Sequence, residues 1–170
     1  MNIVISESQY KRLIEAKEEP KILKFPSLEF FDEDREVAWN IIQKIVERKG
    51  NPPYSIEGNL NLRGIPIQSL GNLQSVGGNL NLRYTPIESL GNLTSVGGNL
   101  YLYNTPIKSL GSLTSVGGDL YLKYTPIESL GNLQSVGGDL YLYDTPISRK
   151  YSEEEILQMV NVEGNIYLKV

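Results

Sequence analysis

The chain of 170 residues contains no cysteine and no histidine. The first absence excludes a disulfide scaffold and thiol nucleophiles. Together they remove zinc sites built on Cys or His and acid–base chemistry at imidazole. Long apolar runs are also missing, and none approaches the roughly 18–20 residues of a membrane span. The opening, MNIVISESQYKRLIEAKEEP, lacks the basic-then-apolar order of a secretory signal. The expected location is therefore cytoplasmic, or a particle assembled in a cytosol, with no membrane partner. Positive charge is not in excess either: the formal net charge is −4, which argues against nucleic-acid binding, a function that needs a basic face.

What the sequence does have is a repeat. Segments of 20 residues begin at Glu57, Gly77, Gly97 and Gly117 and align without a gap. A fifth, GGDLYLYDTPIS, begins at Gly137 and departs, and VEGNIYLKV from Val162 returns to the same phase. The step from Val136 to Val162 is 26 residues, so six are inserted relative to the period. Within one unit Leu100, Leu102, Ile107, Leu110, Leu113 and Val116 mark apolar columns. The L-x-L alternation predicts a short strand with both leucines on one face. Paired glycines such as Gly97–Gly98 suit the positive φ of a tight corner. The prolines 66, 86, 106, 126 and 146 cannot donate to a ladder and belong at another corner. Short strands and corners on a 20-residue period predict a mainly β, right-handed parallel solenoid whose coils stack about 4.8 Å apart. One coil leaves both of its broad faces open, so the array must fold as a stack with covered ends.

The covers are visible in the sequence. DEDREVAWNIIQKIVERKG predicts a helix with Val37/Ala38, Ile41/Ile42 and Ile45/Val46 at i, i+4 spacing. Acidic residues open it, basic ones close it, and Gly50 with Pro52–Pro53 ends it. At the far end Ser152 and Glu155 form a capping-box pattern ahead of Ile156, Leu157 and Val160. The predicted organisation is a strand-and-helix appendage over 1–17, a tether over 18–31, a capping helix over 32–51, and the solenoid over 52–170 with a helix inserted at 152–161. The edge strand 165–170 offers unpaired backbone groups, so self-association through it is expected.

The pattern L-x-x-V-x-x-x-L-x-L-x-x-T-x-I-x-x-L, from Leu93 to Leu110, resembles a short leucine-rich repeat, with the Thr column (Thr85, Thr105, Thr125, Thr145) where that family carries Asn. The wording LTSVGGNLYL is similar to receptor L domains, and the near-identical units resemble uncharacterised bacterial and phage repeat proteins. The opening ISESQYKRLIE resembles a beginning shared by proteins of large tailed phages. The resemblance covers about residues 55–170 and implies protein or glycan recognition rather than one activity. It implies a host cytosol or virion if phage-encoded. Horseshoe and straight prism both fit.

Chemistry-bearing columns are few. Glu88 and Glu128 share a column with Gln68, Lys108 and Ser148, and the Glu–Lys–Glu order predicts an electrostatic ladder rather than a paired-carboxylate hydrolase. The Asx column (Asn59, Asn79, Asn99, Asp119, Asp139, Asn165) lacks the glycine spacing of calcium-binding repeats, so its side chains are expected to bond corner backbone. No catalytic, metal or cofactor residues are expected. From Glu57 to Lys150 six acidic residues (57, 88, 119, 128, 139, 144) meet six basic ones (63, 83, 108, 123, 149, 150), which excludes an acidic DNA mimic. Tyrosine is the informative residue. Tyr101, Tyr121, Tyr141 and Tyr167 alternate with inward leucines, so they point outward and stack coil on coil. Arg63, Arg83, Tyr103, Lys123, Tyr143 and Lys169 run beside them, then Tyr84 and Tyr124. The column reads both as a self-stabilising ladder and as a recognition face, since Tyr and Arg are favoured at interfaces. The candidate partner-binding residues are Tyr101, Tyr103, Tyr121, Tyr141, Tyr143, Tyr167, Arg63, Arg83 and Lys123. The expected function is a non-enzymatic protein-interaction or structural module, with a glycan-binding module as the alternative.

Overall fold

The structure, a computed structural model, describes residues 6–8, 21–27 and 34–169. It is a parallel β-solenoid. Each coil contributes one strand to each of two sheets, and in-register stacking follows from the period. Strand β1 (Leu23–Phe25) opens a seven-stranded sheet, followed in space by β2 (Tyr54–Ile56), β4 (Leu73–Val76), β6 (Ser95–Val96), β8 (Ser115–Val116), β10 (Ser135–Val136) and β12 (Asn161–Val162). The second sheet runs β3 (Leu60–Asn61), β5 (Leu80–Asn81), β7 (Leu100–Tyr101), β9 (Leu120–Tyr121), β11 (Leu140–Tyr141) and β13 (Ile166–Tyr167). In the second sheet a residue pairs with its own counterpart one period on, as Leu100 does with Leu120 and Tyr101 with Tyr121, whereas the first sheet has one irregular step, between Tyr54–Leu73 and Ser55–Ser75. The last step pairs Leu140 with Ile166 across the insertion.

Between the sheets the six columns close into one core. Leu100, Leu102, Ile107, Leu110, Leu113 and Val116 are all buried. Each Thr hydroxyl in the Thr column lies in this core, where a lone polar group would be costly. It donates to the carbonyl three residues back, Thr105 Oγ1 to Leu102 O at 2.6 Å and Thr125 Oγ1 to Leu122 O at 2.6 Å. The Asx column bonds backbone as its position predicts. Asn79 Oδ1 accepts from the Asn99 amide at 2.7 Å, and Asn99 Oδ1 from the Asp119 amide at 2.8 Å. Every step therefore adds a side-chain rung beside the backbone ladder.

The paired glycines are needed for a different reason from the expected one. The glycines with positive φ lie elsewhere, at 50, 64, 71, 91, 111 and 131. Gly97 and Gly98 are glycines because a Cβ on Gly97 would strike the Gly77 carbonyl, and one on Gly98 would strike Asn79 Oδ1. The constraint is closeness of neighbouring coils, not local dihedral freedom.

Helix α1 (Arg35–Arg48) caps the first coil. Only half of the predicted stripe does so: Ala38, Ile42 and Val46 are buried with Trp39, whereas Val37, Ile41 and Ile45 face outward. Trp39, outside the predicted stripe, is buried on the side of the helix that meets the core. Under the cap, the buried Tyr54 hydroxyl donates to the Leu70 carbonyl at 2.7 Å and accepts from Gln43 Nε2 at 2.9 Å. Within the stretch read as a tether, residues 23–25 form β1 and extend the first sheet over β2. The predicted appendage over 1–17 lies outside the described residues except 6–8.

At the other end the insertion forms two short helices. Helix α2 (Pro146–Lys150) has Thr145 as its cap and Pro146 at its first position, where a missing N–H costs nothing. Helix α3 (Glu153–Met159) has the predicted capping box, with the Ser152 amide donating to Glu155 Oε2 at 2.8 Å and the Glu155 amide to Ser152 Oγ at 3.3 Å. Ile156 and Val160 are buried, while Leu157 is exposed. Strand β13 pairs with β11 and with no other described strand. Among the described residues no helix is long and apolar enough to cross a membrane.

Candidate interaction face

The candidate residues lie on the outer face of the second sheet and of the turn that follows it, in two parallel rows with a third row beside them. The strand alternation that buries Leu100 and Leu102 turns Tyr101 outward. The zero-shift register then sets each tyrosine over the next. Tyr101 and Tyr121 stack with ring centroids 4.8 Å apart and planes 11° from parallel. Tyr121 and Tyr141 stack at 4.5 Å and 5°, and Tyr141 and Tyr167 at 4.7 Å and 8°. The phenols are tied to the Asx column: Tyr121 donates to Asp119 Oδ2 at 2.9 Å, Tyr141 donates to Asp139 Oδ2 at 3.1 Å, and Tyr101 Oη accepts from Asn99 Nδ2 at 3.0 Å. Burial in the stack raises the pKa of Tyr121, and the Asp119 carboxylate beside its hydroxyl raises it further. Tyr141 is raised for the same two reasons, through Asp139.

From Arg83 onward the second row alternates cations and rings. The Arg83 guanidinium lies 5.1 Å from the Tyr101 ring centre and 5.3 Å from that of Tyr103, and its Nε donates to Asn81 Oδ1 at 2.9 Å. Lys123 Nζ stands 5.7 Å from the Tyr103 ring centre. The Tyr103 phenol is held below its ordinary pKa, chiefly by hydrogen bonding to Tyr84 and then by Arg83. Tyr143 leans on Tyr141 and Tyr167 at 6.2 and 6.1 Å. The structure thus gathers all nine predicted residues on one face, in two adjoining rows.

The third row was the one the sequence left underused. Its members Gly64, Tyr84, Asn104, Tyr124 and Asp144 all have positive φ, between 53° and 71°. Gly, Asn and Asp suit that left-handed region, but Tyr does not. Tyr84 and Tyr124 nevertheless stand there, 49% and 54% exposed. Arg63 lies 5.4 Å from the Tyr84 ring centre, and Tyr103 meets Tyr84 edge-on at 5.4 Å. The signal was present in the column itself, since Gly64, Asn104 and Asp144 are the residues a left-handed corner selects.

Other columns hold less. Glu88, Lys108 and Glu128 are exposed, and the expected ladder does not form: among the described residues the ion pair within 4 Å is Lys24–Glu57, at 3.6 Å. Solvated charges on separate coils gain too little to hold long side chains together. An open groove of about 470 Å³ follows the Ser-Val-Gly corner through Ser95, Gly97, Ser115 and Gly117. In comparisons with protein-family models, with curated proteins and with solved structures, no match was found.

Proposed function

We propose that the chain is a non-enzymatic protein-interaction or structural module, read by a protein partner at the outer face of its second sheet. The observation that carries this reading is the mixture on that face of exposed aromatic side chains with Arg and Lys that have no carboxylate within ion-pair distance among the described residues, the composition favoured where proteins meet. Within the Tyr101–Tyr167 column geometry disfavours a glycan: a sugar ring needs an open aromatic face, and there the faces between neighbouring rings are covered by each other. The lower face of Tyr101 is further covered by Arg83.

The finer setting is also our inference. The likeness to leucine-rich repeats and to phage repeat proteins supports a virion-associated or assembly role, in a host cytosol or a particle. That β13 pairs with no described strand other than β11 supports self-association through the 165–170 edge, which a concentration series in light scattering would reveal as dimer growth. The main test is capture from an extract of the native source on immobilised protein. The wild type should retain a protein that the folded variant Arg63→Glu/Arg83→Glu/Lys123→Glu releases. Equal retention by both would move the contact off this face.

A further inference from the structure

The three rows differ in what they can offer a ligand, and the difference locates the contact more narrowly. In the stacked column the phenols of Tyr101, Tyr121 and Tyr141 and most ring faces are already used within the fold. In the third row two bulky aromatic residues occupy a corner whose backbone favours Gly, Asn or Asp, and they are about half exposed. Tyr124 gains no ring contact or side-chain hydrogen bond among the described residues in return. An unfavourable backbone conformation kept without a folding benefit is a mark of use. Beside these rings stand Arg63, Arg83 and Lys123, none of which has a carboxylate within ion-pair distance among the described residues. Unneutralised cations interleaved with exposed rings fit an anionic ligand with apolar groups at fixed intervals.

The interval is set by the fold. Tyr84 and Tyr124 are two coils apart, so their backbones are separated by about 9.6 Å at the parallel-strand spacing. The exposed Asn104 lies between them. In a polyproline II segment residues i and i+3 lie on the same side, about 9.3 Å apart, because the helix has three residues per turn and a rise of about 3.1 Å. A β-strand does not match, since i and i+3 project to opposite sides. Aromatic side chains are also the usual partners of prolyl rings in this geometry.

Resting on the protein-interaction reading above, we infer that Tyr84 and Tyr124, with Arg63, Arg83 and Lys123, form a docking site for an acidic, proline-bearing extended segment of a partner protein, with prolines at i and i+3 over the two rings and carboxylates toward the three cations. The segment runs along the coil axis, across the strands.

The test uses the full chain and the synthetic peptide (Pro-Glu-Glu)4 in calorimetric titration. Controls are (Gly-Glu-Glu)4, (Pro-Lys-Lys)4, cellohexaose and a 12-residue oligothymidylate. The decisive variant is Tyr84→Asn/Tyr124→Asn, because Asn104 already occupies this corner and the fold accepts it. Circular dichroism confirms that the variant is folded. Expected are binding of (Pro-Glu-Glu)4 that weakens with salt, at least tenfold weaker binding of (Gly-Glu-Glu)4, and a tenfold or greater loss in the double variant. Equal binding of the two acidic peptides, or undiminished binding by the variant, would reduce the site to charge alone and overturn the inference. Tighter, tyrosine-dependent binding of the oligonucleotide or cellohexaose would overturn it together with the protein-interaction reading. If (Pro-Glu-Glu)4 does not bind while the captured protein still depends on Arg63, Arg83 and Lys123, this inference fails and the broader reading stands.

Discussion

Tyrosine serves two regions of the same face in opposite ways. In the column from Tyr101 to Tyr167, extended backbone sets each ring over the next at 4.5–4.8 Å, and the phenols of Tyr101, Tyr121 and Tyr141 bond the Asx column. At Tyr84 and Tyr124 the backbone is left-handed and the side chains are about half exposed, Tyr84 against Arg63 and Tyr103 and Tyr124 against no ring among the described residues. The first group is what the fold requires, because stacking and hydrogen bonding accumulate along the array. The second is what the fold tolerates. Residue type alone, therefore, does not separate the two groups; backbone conformation and ring exposure do.

The comparison depends first on the inward–outward alternation of the second sheet. Leu102→Asp places an unpaired charge in the core and should lower stability by about 4 kcal/mol or more in denaturant titration, unfolding the array. A folded Leu102→Asp variant would break the alternation on which both tyrosine rows are assigned.

Next in size is the closeness of the coils that brings the rings together. Gly97→Ala drives a methyl into the Gly77 carbonyl and should cost about 3 kcal/mol, as overpacking against rigid backbone does. Gly111→Ala, where the space is open and only the positive φ resists, should cost about 1 kcal/mol. Equal losses would show that dihedral freedom, not stacking distance, selects the paired glycines.

A milder probe titrates the tied phenols. Burial raises Tyr54 from its ordinary value near 10 to about 12, and Tyr121 and Tyr141 are raised by burial and their Asp partners. A raised folded pKa means stability that is complete below pH 10 and is lost as pH climbs through the folded value. Stability should accordingly hold up to about pH 10 and fall between there and pH 12, with phenolate absorbance from these rings appearing late. Release of all eleven tyrosines' protons near pH 10 with the fold intact would contradict the tied state.

Most of this architecture was legible because one period controls it. A 20-residue repeat with alternating leucines leaves one register, and that register alone stacks Tyr101 on Tyr121. The Asx rungs followed from the same logic. What escaped depended on contacts between elements rather than within them. The paired glycines answer to the coil beneath, which a reading of local turns does not contain. The half of α1 that meets the core includes Trp39, outside the i, i+4 stripe that marked the helix. The Glu88–Lys108–Glu128 order suggested a ladder, but exposure leaves those charges in water. The third row was missed since Tyr is not expected at positive φ, although Gly64, Asn104 and Asp144 announced the corner.

The central claim, that the stacked column holds the fold and the corner tyrosines do not, is tested by one paired thermal-unfolding measurement. Tyr121→Asn and Tyr124→Asn make the same change three residues apart, and each Asn is native to its own column, at Asn81 and Asn104. Tyr121→Asn loses two stacked neighbours and the Asp119 bond and should cost about 2 kcal/mol. Tyr124→Asn should leave the melting temperature unchanged or raise it, because Asn relieves the left-handed strain. Equal falls in the two variants, or a larger fall for Tyr124→Asn, would contradict the account.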